Sequence, residues 1–299
     1  MNISTLYGFI YDKKTRFSIL EHMGFYHILS DKNYLRKSFK VRTGCDLNLD
    51  HPQTFNEKLQ WLKLNDRNPL YTVMVDKYKV KDYVSKKIGK EHIIPTIGVW
   101  NHPDEIDFHS LPDQFVLKCN HNSGGLYICR DKAKFDTNSV KKGLATALKH
   151  NYYFQGREWP YKDVPRKILA EKYMTDESGV ELKDYKIFCF SGQPKFIQVD
   201  FNRFAVHKRN LYTLDWQYID AEIQFPSDRN IIIEKPEKLD EMINIAKILS
   251  DGLPHVRVDL YSVRDKVFFG ELTFYHGSGF EKFSPENFGY TVGKWLRIE

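Results

Sequence analysis

The stretch Val256-Arg-Val-Asp-Leu-Tyr-Ser-Val-Arg-Asp-Lys-Val-Phe-Phe-Gly-Glu-Leu-Thr-Phe274 reads as a β-hairpin that sets two acidic side chains face to face. Alternation puts Val256, Val258 and Leu260 on one face and Arg257, Asp259 and Tyr261 on the other. On the return strand Phe268, Leu272 and Phe274 are expected to share a face, leaving Glu271 and Thr273 opposite. A three-residue turn at Arg264, Asp265 and Lys266 pairs Asp259 with Glu271 and Arg257 with Thr273. Directly opposed side chains lie about 4.5–5.5 Å apart, where like charges repel. A divalent cation between the carboxylates turns that repulsion into a binding site. The alternative is a polar face whose charges are screened by water.

Outward from the hairpin the pattern stays mixed. Pro236 opens a helix with Leu239, Met242, Ile243, Ala246 and Leu249 on one face, ended near Gly252. Tyr185 to Phe190, the turn Ser191-Gly192 and Pro194 to Val199 form a second hairpin. Lys167 to Met174 reads as a buried strand, and Thr137 begins a helix towards His150. Phe115 to Cys119 and Leu126 to Cys129 are strands joined by the turn Asn120-His-Asn-Ser-Gly-Gly125, and a short strand is expected near Ile93. Asp76 opens a helix that Gly89 stops, and Thr54 with Glu57 makes a capping box for a helix to about Asn65. This is an α+β pattern. GxGxxG, GxxxxGK[ST], repeats and low-complexity tracts are missing.

The 299 residues are 41% hydrophobic and 15% aromatic, enough for one large or two modest cores. A net charge of +6, dispersed over 28% charged residues, suits anionic ligands but gives no basic arm for nucleic acid. No apolar run is long enough to span a bilayer, and Met1 to Ile10 lacks a signal-peptide pattern, so a cytoplasmic protein is expected. Cys45, Cys119, Cys129 and Cys189 show no CxxC spacing and read as free thiols. Leu6 to Phe39 mixes aromatics with Lys and Arg; it reads as a helical extension packed on the body, with membrane-surface contact as the alternative.

Five further signals carry chemistry. Lys118 leads into Asn122, Ser123, Gly124 and Gly125, a loop able to approach phosphate closely. Lys77 heads a lysine-rich helix. Glu171 lies inside an apolar run and needs a partner, an arginine or a ligand amine. Asp184 and Lys186 share one strand face, and Lys208 and Arg209 are basic residues between strands.

The order of these signals resembles the ATP-grasp superfamily. Within it the chain is similar to the TupA-like branch found with bacterial surface-polysaccharide genes. Thr54-Phe-Asn-Glu-Lys-Leu-Gln-Trp-Leu-Lys-Leu-Asn-Asp-Arg-Asn-Pro-Leu-Tyr71 with Asp76-Lys77, Asp184-Tyr-Lys-Ile-Phe-Cys-Phe190, and Arg257 to Tyr261 followed by Gly270 to Gly279 carry that resemblance, which runs from about Val41 onward. It implies an ATP-grasp fold, two α+β subdomains clasping ATP. Residues 1–75 would be a helical region replacing the usual N-terminal α/β domain, and residues 76–299 the grasp, with a small subdomain at about 93–170 and a larger one at about 171–299. Lys77 and Lys118 would contact ATP phosphates under the loop Asn122 to Gly125. Glu171 and the backbone of Lys172, Tyr173 and Met174 would meet adenine, and Asp184, with Lys186 beside it, the ribose. Asp259, Glu271 and Thr273 would hold Mg²⁺; Thr273 stands where many members carry asparagine. Arg257 would steady the transferred phosphoryl group, with Lys118, Lys208 and Arg209 as further cationic catalytic groups. His276, Gly277, Ser278, Gly279 and Arg203 would meet the substrate.

The implied activity is an ATP- and Mg²⁺-dependent carboxylate–amine ligase that forms an amide through an acyl phosphate. Its partners would be small-molecule or saccharide carboxylates, a uronic acid above all, and an amino acid or small amine. A lipid-linked glycan would bring it to the inner face of the membrane. Two rivals stand beside it: a glycosyltransferase, for which the chain has no Asp-x-Asp motif, and a non-catalytic nucleotide or saccharide binder with the same fold.

Overall fold

Residues 9–176, 179, 182–201 and 207–298 are described by the computed structural model. The smaller sheet holds β1 (Thr96–Trp100), β2 (Phe115–Cys119), β3 (Tyr127–Cys129) and β4 (Ile168–Lys172), all antiparallel, in the order β1-β4-β2-β3. Its core is Phe115, Leu117, Cys119 and Ile168, closed by Val140 and Leu144 of the helix Thr137–Lys149. The expected strand near Ile93 begins three residues later; Ile93 itself makes one parallel bridge to Phe269.

The larger sheet contains β5 (Asp184–Phe190), β6 (Gln193–Phe201), β7 (Lys208–Tyr212), β8 (Tyr218–Ile219), β10 (His255–Val263) and β11 (Lys266–Thr273) in the antiparallel order β11-β10-β5-β6-β7-β8. The short β9 (Glu222–Ile223) pairs with β12 (Phe283–Ser284). Every residue of β5 is buried, because both faces are covered. Ile187 and Cys189, with Val256, Val258 and Leu260 of β10, meet the helix Leu239–Ser250. The other face changes character along its length. At one end Phe188, Phe190 and His255 surround the ring of Phe55, which comes from the helix Phe55–Asn65. At the other end the same face carries Asp184 and Lys186 beside Asp259. These buried charges are paired with one another, since an unpaired buried charge is expensive.

The hairpin reaches its register by a different route from the one expected. Its turn has two residues, with Val263 opposite Lys266 and Arg264 at φ +55°. Continued unbroken, that turn would put Asp259 opposite Gly270. A bulge after Asp259 adds one residue on β11 and restores Arg257 opposite Thr273 and Asp259 opposite Glu271. The extra residue exchanges the faces of β11. Val267 and Phe269 are buried before the bulge and Leu272 after it, so Phe268 is not on the core face. Gly270 sits at the bulge, where a Cβ would lie 2.9 Å from the Asp259 carbonyl oxygen.

Ahead of the sheets the chain is helical: Lys13–His22, Asp31–Thr43, Phe55–Asn65, Leu70–Val75 and Val80–Ile88. Thr54 and Glu57 make both bonds of the capping box, and Gly44 ends its helix at φ +84°. The helix expected from Asp76 starts at Val80; Asp76 instead accepts from the Tyr78 and Lys79 amides in the turn before it. Phe17, Tyr34, Leu35 and Phe39 build a separate small core. All four cysteines are free, and Cys45 alone among them is exposed. Among the described residues no helix is long and apolar enough to cross a membrane.

Candidate active site

The two sheets face each other across a slot. Lys118 is the next-to-last residue of β2, and Glu171 lies on the neighbouring β4. Glu171 finds its partner in two lysines: Lys118 Nζ at 2.5 Å and Lys81 Nζ at 2.6 Å. Burial opposes ionisation of Glu171, but Lys118 and Lys81 hold its carboxyl below the usual range. Beside this group is a cavity of about 190 Å³, walled by Val116, Ile128 and Phe269 and by residues 172–174. Apolar walls with lysines at one end suit a flat base with an anionic tail.

The glycine loop is anchored by Asn120. Its side-chain amide donates to Asp76 Oδ1 at 2.8 Å and to the Pro165 carbonyl at 2.9 Å, while its Oδ1 accepts from the Lys167 amide at 2.7 Å. Its own carbonyl accepts from the Lys77 amide at 3.1 Å. The Lys77 ammonium then donates to the Asn122 carbonyl at 2.6 Å and lies 3.9 Å from Glu271. Burial draws the Lys77 pKa down against the pull of Glu271. Gly124 has φ +90°, and nothing lies within 4 Å of where its Cβ would be, so the loop offers open backbone to a ligand.

On β10 and β11 three oxygens converge on one positive nitrogen. Arg257 Nη2 donates to Asp259 Oδ2 at 2.6 Å, to Thr273 Oγ1 at 3.0 Å and to Glu271 Oε1 at 3.3 Å. Its Nε reaches Asp259 Oδ1 at 2.6 Å, making the Asp259 pair bidentate. Asp259 is 1% exposed, whereas the Glu271 side chain is 41% exposed within the cleft wall. Burial pushes the Asp259 carboxyl up to about 7 despite Arg257 and Lys186. Glu271 is held below the usual range by Lys77 and Arg257 against burial, and although burial opposes it, Asp259 and Glu271 raise the Arg257 pKa. This hard-oxygen set fits a divalent cation: the guanidinium is a stand-in cation ringed by the same donors. Among the described residues no group of three or more His, Cys, Asp and Glu comes together as a metal cluster.

Behind the hairpin a loop closes the cleft. Gly277, Ser278 and Gly279 follow one another at φ +53°, +52° and +69°. Arg257 Nη1 donates to His276 Nδ1 at 2.6 Å; arginine only donates, so that nitrogen is unprotonated. The proton is on Nε2, 2.6 Å from Glu281, which Arg209 also holds at 2.8 Å. Burial lowers the His276 pKa, in keeping with a neutral ring. The helix Phe55–Asn65 fixes the loop from outside. Gln60 donates to the Ser278 and Gly279 carbonyls at 3.1 and 2.9 Å, and Lys63 Nζ reaches the Ser278 carbonyl at 2.8 Å.

Together these walls enclose a cleft of about 1510 Å³, to which Ser123, Arg257, Glu271, Thr273 and His276 to Ser278 contribute. Lys77 borders both cavities. Arg209 reaches the cleft, but Lys208 does not belong with it, because its ammonium pairs with Asp228 on the far side of β7. Asp184 and Lys186 pair with each other, Lys186 also lies 3.3 Å from Asp200, and neither lines either cavity. Arg203 lies outside the described residues. Sequence reading missed Lys81, Gln60, Lys63, Glu158 and Glu281. Lys63 alone left a signal, a lysine on the apolar side of a helix.

Solved structures resemble the chain distantly. The D-alanine–D-alanine ligase from Bacillus anthracis complexed with ATP aligns at 17% identity over 68% of this chain and 55% of that one, with a TM-score of 0.39. The D-alanine–D-alanine ligase from Helicobacter pylori aligns at 13% identity over 81% and 69%, TM-score 0.43. For ATP-grasp ligase PsnB complexed with minimal precursor the values are 11% identity, 73% and 59%, and 0.39. The chain thus spans less than two thirds of the B. anthracis ligase and of PsnB. No curated protein matches the sequence. Residues 57–297 match the family described as TupA-like ATPgrasp, and the chain belongs to that family.

Proposed function

We propose that the protein is an ATP- and Mg²⁺-dependent carboxylate–amine ligase. The observation that carries this reading is the meeting of two unlike cavities at Lys77: an apolar slot with lysines at one end and a large polar cleft. A nucleotide in the slot, with its base against residues 172–174 and its phosphates toward Lys118, Lys77 and the loop 122–125, would present its last phosphate at the cleft. A carboxylate in the cleft attacks the γ-phosphorus, ADP departs and an acyl phosphate forms. An amine then attacks the acyl carbon, expels phosphate and loses a proton, leaving an amide. Such phosphoryl transfer depends on positioning and charge neutralisation, which the lysines and Arg257 supply. Asp259, Glu271 and Thr273 would hold Mg²⁺, whose chemistry there is to neutralise phosphate charge. His276 holds Arg257 in place, and the backbone of 277–279 borders the acceptor.

The acceptor we favour is a uronic acid of a bacterial surface polysaccharide or its precursor. The cleft is larger than the roughly 300–1,000 Å³ usual for small ligands, which favours a saccharide. Lys14, Ser18 and Arg42 from the N-terminal helices form its outer wall. A lipid-linked acceptor would bring the chain to the inner face of the membrane, and Met23, Phe25 and Ile28 stand exposed in that region. The test is incubation with ATP, Mg²⁺ and uronate–amine pairs. The expected products are amide, ADP and phosphate in equal amounts; AMP and pyrophosphate contradict the acyl-phosphate route.

A further inference from the structure

One carboxylate of the cleft is unexplained by nucleotide or cation. Glu158 is 5% exposed and lines the cleft wall on the side of the 276–279 loop. No described lysine, arginine or histidine forms an ion pair with it; the strongest charge acting on it is Lys63. Lys63 has no hydrogen left to give. Its ammonium, with three donors, already meets the Gly156 and Ser278 carbonyls at 2.8 Å and Gln60 Oε1 and Ser278 Oγ at 3.0 Å. Burial raises the Glu158 pKa, and Lys63 and the Ser278 hydroxyl, which itself accepts from Lys63, oppose that rise. Two aromatic rings line the same cavity: Tyr152 and Tyr161 meet edge to face with centroids 4.9 Å apart.

A buried carboxylate lacking an ion-pair partner, with aromatic rings in the same cavity wall, is the chemistry that recognises a primary ammonium. We infer that Glu158, Tyr152 and Tyr161 form the ammonium subsite for the amine co-substrate. This rests on the ligase reading for its purpose but not for its detection. The subsite shares its cavity with Glu271 and Arg257, so an amine held there stands in the compartment where the acyl phosphate would form. Lys63 and Ser278 are positioning residues, acting through Glu158.

The experiment uses the full chain and three probes: ethanolamine, glycinamide and 1,4-diaminobutane, with ethylene glycol as the neutral control. Each is titrated while the thermal unfolding midpoint is followed. At least one amine should stabilise the wild type saturably and ethylene glycol should not. Glu158→Gln should weaken that amine at least tenfold, Glu158→Asp should retain part of the affinity, and ATP affinity should change less than twofold in both, which also shows that they fold. A wild type that binds none of the three amines, or a Glu158→Gln variant that binds them as tightly, overturns the subsite. Separately, hydroxylamine traps an acyl phosphate as a hydroxamate. If no hydroxamate forms with ATP and any uronate, the ligase reading fails, and the amine titration still decides the subsite.

Discussion

Two walls of the cleft are built on opposite plans. The strand wall, Arg257, Asp259, Glu271 and Thr273, takes its geometry from the pleat of one hairpin, and its charges compensate one another within it. The loop wall, His276 to Gly279 with Glu158, has no regular backbone of its own and is held by Gln60 and Lys63 from about 215 residues away. The strand wall ties stability and chemistry together; the loop wall separates them, because its anchors lie outside the cleft.

The largest effects break the strand wall. Asp259 and Glu271 are equivalent in register but not in burial. Either Asp259→Asn or Glu271→Gln should reduce ADP release by about 10³-fold or more, the scale of lost charge stabilisation at a reacting phosphate. Urea unfolding should separate them. Asp259→Asn leaves Arg257 buried without its bidentate partner and should cost about 3–5 kcal/mol. Glu271→Gln, exposed to the cleft, should cost about 1 kcal/mol or less. Equal stability of the two variants would remove the distinction between a sealed acid and an accessible one.

That distinction marks the limit of what the sequence could say. Alternation along 256–261 determines which side chains share a face, so the pairing of Asp259 with Glu271 was readable. The bulge was not, because one inserted residue leaves no periodic trace, and a two-residue turn plus a bulge gives the same far-end register as a three-residue turn. Glu171 announced itself as a buried acid, yet its partners Lys81 and Lys118 come from a helix and another strand. The loop wall was least legible, since Gln60 looks like an ordinary helix residue until tertiary packing buries it, and Lys63 showed only its place on the apolar side of that helix. Strands and capped helices were found within a few residues because local chemistry determines them.

Acid should separate the walls by a smaller margin. His276 and Arg209 hold the Glu281 carboxyl at about 2 against the desolvation that opposes them, below an ordinary value of 4.5. A group whose folded pKa is depressed stabilises fully above its unfolded pKa and loses that contribution as pH falls through the folded one. The expected loss is on the order of 3 kcal/mol between about pH 4.5 and pH 2, at roughly 1.4 kcal/mol per pKa unit. His276 acts in the same sense, its pKa being depressed by burial. Glu281→Gln should flatten this part of the stability profile in urea titrations. An unchanged slope would show that another carboxylate governs the acid limb.

The smallest effect sharpens the loop wall alone. Lys63→Met removes the donor that holds the Ser278 and Gly156 carbonyls, which costs about 1–3 kcal/mol for buried acceptors left unpaired. Part of that returns, because burying the ammonium is itself unfavourable: desolvation draws its pKa from 10.5 to about 7. The sign follows. The unfolded chain binds this proton more tightly, so between about pH 7 and 10.5 the wild type gains stability with rising pH, and Lys63→Met should lose that gain. Kinetically, the variant should raise the KM for the amine and the acceptor several-fold while leaving the KM for ATP within twofold, since the slot residues have no contact with Lys63. A matching rise in the KM for ATP would mean that the two walls move as one, and the separation between the slot and the loop wall would then be one of shape rather than of mechanism.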